Sequence, residues 1–236
     1  MIPKLNDTPK YDLKIPSLNK EVKFRPYLVK EEKILMMAFE SDNQKVALEA
    51  VADTITSCIN EDVNVADLKL YDIEYMFTKI RAKSVGEDAS LVVTCKSCEH
   101  KNDVSINLED VVLSEPEEIS NTIELNDEVS VEMTYPDFKK MMNNEKILDR
   151  KSEVEGLIEL IIDCIVCINT EDEKVMVRDE PREKVAEFVD SMTNDQFAKL
   201  RTYVESVPKV EIPHTYVCAG CKKNNEVKIR NIADFF

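Results

Sequence analysis

At 236 residues the chain is long enough for one large domain or two small ones with a real core, and its 43% apolar and 33% charged content is that of a folded, well-solvated protein. A formal net charge of -16 disfavours general affinity for phosphate backbones or anionic lipid, and a content of three glycines disfavours a glycine-rich phosphate cradle. The N-terminus MIPKLNDTPKYDLKIP has no apolar segment of the signal-peptide kind. The longest apolar run, Leu157 to Ile168, contains Glu159 and Asp163 and is too short to span a bilayer. Seven cysteines without an export signal point to a reducing compartment, where thiols act as ligands or core residues.

In chain order, the first predicted element is the strand-like EVKFRPYLV from Glu21. The helix KEEKILMMAFE follows. Its run Ile34-Leu35-Met36-Met37-Ala38-Phe39 is apolar on every side, so it must be enclosed, by its own fold or by a partner. Methionine adapts to shared surfaces, which makes Phe24, Met36, Met37 and Phe39 the candidate partner-binding residues. An amphipathic helix comes next, with Leu48, Val51, Ala52, Ile55, Cys58 and Ile59 on one stripe. A third helix, YDIEYMFTKIRAKSV, leads to a strand, a C-x-x-C turn and a second strand in LVVTCKSCEHKNDVSI.

The same order then recurs. EVSVEMTY from Glu128 reads as a strand and PDFKKMMNNE as a short Met-containing helix. Leu157, Leu160, Ile161 and Cys164 repeat Leu48, Val51, Ala52 and Ile55 at a constant offset of 109 (157 minus 48), and Cys167-Ile168-Asn169 repeats Cys58-Ile59-Asn60. An insertion, EDEKVMVRDEPREKVAEFVD, reads as a short strand and a helical turn or two. NDQFAKLRTYVESV is the counterpart of the third helix. TYVCAGCKKNNEVKI closes the second half, with Cys218, Cys221, Asn225, Val227 and Ile229 matching Cys95, Cys98, Asn102, Val104 and Ile106 at an offset of 123 (218 minus 95). Four local matches in one order predict an internal duplication. Repeat 1 covers 1–113, the polar segment SEPEEISNT at 114–122 is the linker, and repeat 2 covers 123–236, the whole forming one compact body.

The cysteines carry the chemistry. Cys95/Cys98 and Cys218/Cys221 each sit on a predicted turn between strands, where two thiolates can reach one tetrahedral ion. Together they predict a zinc-ribbon-like Cys₄ site, one zinc per chain, with Lys96, Lys101, Lys222 and Lys223 placed to offset its charge. Four thiolates leave no open position, so such a zinc is structural, not catalytic. Cys164/Cys167 has the same spacing but is expected inside the helix IELIIDCIVCI, where the repeat places Ile55 and Cys58; it reads as core, as does Cys58 itself. His100 and His214 read as solvated or supporting groups. No G-x-S-x-G, H-E-x-x-H or P-loop pattern is present, and nothing argues for an enzyme.

FRPYLVKEEKILMMAFES and RAKSVGE, within roughly residues 15–110, resemble the base plate protein family of T4-like tailed bacteriophages, which includes hub subunits and a hub-assembly factor. The resemblance implies a late viral protein that helps build the baseplate hub by protein–protein contacts. It would be found in the host cytoplasm during assembly and potentially in the virion tail. It brings no catalytic residues with it. The expected fold class is α+β, two helical units each ending in a β-knuckle, with phage hub or tail proteins as partners and neither nucleic acid nor membrane. The competing reading is a zinc-ribbon adaptor for nucleic acid or a host protein, which would need a basic, aromatic face beside the knuckles.

Overall fold

The computed structural model describes residues 8–41, 43–114, 119–148 and 153–230. The chain opens with an antiparallel pair, β1 (Tyr11–Ile15) and β2 (Lys20–Phe24), in which alternate side chains Leu13, Ile15, Val22 and Phe24 are buried. That period of two is the mark of a half-buried strand. Helix α1 (Val29–Glu40) starts where the Glu31 carboxylate accepts the Leu28 N–H at 2.8 Å. Helix α2 (Gln44–Cys58) is capped by Asn43, whose Oδ1 accepts from the N–H groups of Lys45 and Val46. Helix α3 (Leu70–Val85) begins at the buried Asp72, which takes the N–H of Lys69 at 3.0 Å and that of Ser17 at 2.8 Å. Asp72 thereby ties this helix start to the β1–β2 turn. α1 packs on α2 and α2 on α3, enclosing Leu35, Ile55, Cys58, Ile73, Met76, Phe77 and Ile80.

Gly86, at φ +143°, ends α3, and the chain enters the hairpin β3 (Asp88–Thr94) and β4 (Lys101–Asn107). A short strand β5 (Val112–Leu113) follows.

The second compact unit then runs from Glu115 to Pro208. Its sheet is β6 (Thr122–Glu124), β7 (Ser130–Met133), β8 (Ile165–Asn169) and β9 (Lys174–Met176), in that order and antiparallel throughout. Its helices are α4 (Phe138–Asn143), α5 (Glu145–Leu148), α6 (Glu153–Cys164), α7 (Arg182–Asp190) and α8 (Asn194–Glu205). Val131, Met133, Ile161, Ile165, Val185, Val189, Leu200 and Val204 form part of its core.

The chain returns at Lys209 to complete the first unit, Met1–Ser114 with Lys209–Phe236. Strand β10 (Val210–Val217) lies between β5 and β11 (Asn224–Ile229), giving the order β11-β10-β5. Ser114 and Lys209 close the join: the Ser114 N–H donates to the Lys209 carbonyl and the Lys209 N–H to Ser114 Oγ, each at 2.8 Å. Ala82, Ala89, Val104, Ile106, Leu108, Val111, Val210 and Ile212 share one core, which seats both hairpins in the first unit.

The predicted strands, helices and hairpins form in the expected order, and the mixed helix-and-sheet class is as expected. Two features differ. The compact units do not follow the repeat boundaries at 113 and 123, because the C-terminal hairpin β10–β11 belongs with residues before Ser114. Within the expected linker, 115–118 lie outside the described residues. The helix read through IELIIDCIVCI stops at Cys164, and Cys167 sits in β8. There Ile165 and Cys167 pair with β7 around a bulge at Val166 instead of continuing the helix, and Thr134 N–H caps the Cys164 carbonyl at 2.8 Å. Cys58, Cys164 and Cys167 are all buried, as core residues should be.

Candidate metal centre

Each C-x-x-C segment folds as the same tight turn. In the β3–β4 hairpin the Cys95 N–H donates to the His100 carbonyl (2.9 Å) and the Glu99 N–H to the Cys95 carbonyl (2.9 Å). In the β10–β11 hairpin the Cys218 N–H donates to the Lys223 carbonyl (3.0 Å) and the Lys222 N–H to the Cys218 carbonyl (2.9 Å). The residue after the second cysteine is left-handed in both, Glu99 at φ 59° and Lys222 at φ 61°. Non-glycine residues adopt that region at a cost, so its occurrence at both equivalent positions marks a turn held by its surroundings.

The two turns face each other. All four sulfurs lie within 4.8 Å of one another, with Cys95 Sγ 3.8 Å from Cys221 Sγ and Cys98 Sγ 3.6 Å from Cys218 Sγ. A tetrahedron with metal–sulfur bonds of about 2.3 Å has edges of about 3.8 Å, so the donor set fits a four-thiolate metal ion. The first cysteine of each pair is buried; Cys98 is exposed and Cys221 half-buried.

Backbone amides prepare the sulfurs for negative charge. The Ser97 N–H donates to Cys95 Sγ at 3.4 Å and, with the Cys98 N–H, holds the Cys95 thiol below its ordinary value. The N–H groups of Cys221 and Gly220 pull Cys218 down to about 6. At Cys98 the His100 N–H acts in the same direction, but burial and the crowding of Cys221, Cys218 and Cys95 outweigh it, and the thiol is pushed up to about 12. Four sulfurs this close cannot all shed their protons unless a cation takes their place.

Two asparagines buttress the turns from opposite sides. Asn102, buried on β4, donates through Nδ2 to the His100 carbonyl (2.9 Å) and accepts the Ala219 N–H of the opposite turn through Oδ1 (2.8 Å). Asn225 donates to the Lys223 carbonyl (2.9 Å) and its Oδ1 lies 3.5 Å from Cys95 Sγ, again across the gap. The hairpin alignment pairs these residues but gives no hint of their role, because an asparagine inside an alternating strand carries no ligand signature. Gly220 is the other contributor beyond the cysteines: a Cβ there would stand 3.0 Å from Cβ and Cγ of His100. His100 is exposed and packs against the opposite turn, whereas His214 lies along β10. Lys96, Lys101, Lys222 and Lys223 are exposed, and the hydrogen bonds described above reach the sulfurs from the backbone and from Asn225.

The family model for the T4 bacteriophage base plate protein matches residues 8–236. The chain belongs to that family. The match takes in both halves of this base plate protein, including all four cysteines. Neither the curated proteins nor the solved structures contain a significant match. Membership points to a structural phage role, in contact with other base plate proteins in the virion tail. No helix of this base plate protein, among the described residues, is long and apolar enough to cross a membrane.

The candidate partner-binding residues separate. Phe24 is only 2% exposed and packs inward from β2, against the ring of Tyr11 at 5.6 Å, so it is withdrawn as a contact residue. A strand position facing the core cannot also face a partner. Phe39 is half-buried, while Ile34, Met36 and Met37 are 56%, 55% and 71% exposed. Within the chain's own fold, Leu35 and Ala38 are the buried members of the apolar run.

Proposed function

We propose that this protein is a structural or assembly component of the baseplate hub of a T4-like contractile tail, acting through protein–protein contacts with hub and tail proteins. The family match over residues 8–236 carries this reading. In it, Cys95, Cys98, Cys218 and Cys221 hold one structural zinc that joins the hairpin β3–β4 to the hairpin β10–β11. The closed thiolate set and the spacing of its sulfurs support zinc over harder cations, which prefer oxygen. The exposed side of α1, with Met36 and Met37 and the neighbouring Phe39, is the contact surface that we favour.

The recurrence of strand, helices and C-x-x-C hairpin also supports descent from a duplicated unit. Helices α2 and α6 each run into a segment bound to the strand preceding it: Ile59 bridges Phe24, and Ile168 pairs with Val131.

Co-expression with the hub proteins of the same phage, followed by affinity capture, tests the function. Recovery of a stoichiometric hub complex is the expected result; recovery of nucleic acid alone would overturn it. Metal analysis of the purified chain should give one zinc, and zero or two would remove the shared site.

A further inference from the structure

Helix α1 lies at the edge of the first unit and is covered on one side only. Leu35, Ala38 and Glu31 turn inward, with Glu31 paired to Arg25 at 2.9 Å. The opposite side carries Val29, Lys30, Lys33, Ile34, Met36, Met37 and Glu40, all exposed. Leu28 before the helix and Val46 on α2 are exposed as well, so six of the large exposed apolar side chains fall between positions 28 and 46. A concentration of this kind marks a contact surface.

Its charges identify the occupant. Lys33 stands in the N-terminal half of this face, beyond Lys30, which pairs with Glu31 at 3.2 Å, and Glu40 stands at its C-terminal end; the last turn contains no basic residue to offset the helix dipole. A helix running the opposite way, with lysines early and a glutamate last, satisfies both ends, and α1 is itself such a helix. We infer that α1 pairs antiparallel with α1 of a second copy of this chain across a two-fold axis near Met36 and Met37. Met36 and Met37 of the two copies meet at the centre with Ile34 on the flank, and Lys33 of each copy approaches Glu40 of the other. Such a contact is isologous, using one patch on both copies. The pairing rests on the reading of this face as a contact surface and supplies its partner.

Twelve residues make a helix of about 18 Å, and a seam of that length with its flanks falls at the low end of the about 1,200 Å² that stable interfaces bury. An interface of that size is of the weak, reversible kind.

The test is sedimentation velocity of the full zinc-loaded chain across a concentration series. Mass should rise from the 27.1 kDa monomer toward twice that value. Met37→Glu should abolish the rise. Lys33→Glu should weaken association by about tenfold or more, and adding Glu40→Lys to that variant should restore it, since the charges are then exchanged in both copies. All substituted positions are exposed, and retained zinc confirms that each variant is folded. A chain that stays monomeric throughout, a dimer indifferent to Met37→Glu, or a charge exchange without rescue overturns the pairing. If such a monomer still captures hub proteins and Met37→Glu abolishes that capture, the pairing fails and the contact reading stands.

Discussion

Asn102 reaches across the gap between the two cysteine turns and accepts the Ala219 N–H at 2.8 Å, while its own amide holds the His100 carbonyl at 2.9 Å. One buried side chain thus sets the position of one turn relative to the other. Replacing it with alanine leaves the Ala219 N–H without that acceptor, and groups that support metal ligands in this way commonly change affinity by about 10–100-fold. Asn102→Ala should weaken zinc binding by a factor in that range, read by competition with a chromophoric chelator. Unchanged affinity would show that the sulfurs alone fix the geometry.

Removal of the metal should act on the first unit more than on the second, because all four ligands lie in the first. Chelation, or Cys218→Ser, should expose amides of β10 and β11 to hydrogen exchange while those of α6 and α8 stay protected. Structural zinc contributes on the order of 10 kcal/mol in small metal-dependent folds, so the shift should be large.

Gly220→Ala tests the close approach of the turns. The added methyl would meet His100 Cβ and Cγ at 3.0 Å, a contact that requires the hairpins to move apart by a few tenths of an ångström. Zinc should remain bound with lowered affinity, and His100→Gly in the same chain should restore it by removing both contacting atoms. Failure of that rescue would place the strain in the backbone instead.

In the second unit, Glu159 gives a pH signature. Partial burial disfavours its charged form, yet Arg182, Asn144 and Lys146 hold the carboxyl down to about 2. A depressed carboxyl stabilises the fold above its unfolded value, near 4.3, and loses that contribution as pH falls toward 2. The stability gap between the native chain and Glu159→Gln should therefore be full at neutral pH and shrink between about pH 4 and 2. Arg182 is half exposed, so added salt should narrow the gap as well.

The succession of strands and helices was legible because each element carries its own period: alternation in KEVKF and KNDVSI, a stripe in Leu48 to Ile59. The four cysteines were legible as well, since two C-x-x-C turns between strands advertise a tetrahedral site. Asn102 and Gly220 were not, because their roles depend on which backbone lies opposite, a fact of tertiary packing. Which side of α1 its own fold covers was not legible, for a related reason. Periodicity tells how many sides of a helix are apolar, but neighbours decide which are covered, and α1 has neighbours on one side only. Cys167 was placed in a helix because the repeat suggested it, whereas pairing with β7 outweighed that local preference.

The antiparallel contact of Val210 with Leu113, and of Glu211 with Val112, joins stretches made far apart in time as the polypeptide leaves the ribosome. Cys95 and Cys98 emerge early and wait with half a coordination sphere until more than a hundred further residues have been synthesised. A truncated product ending before Cys218 holds only two of the four sulfurs that the finished hairpins bring within 4.8 Å of one another, and could not form the proposed site.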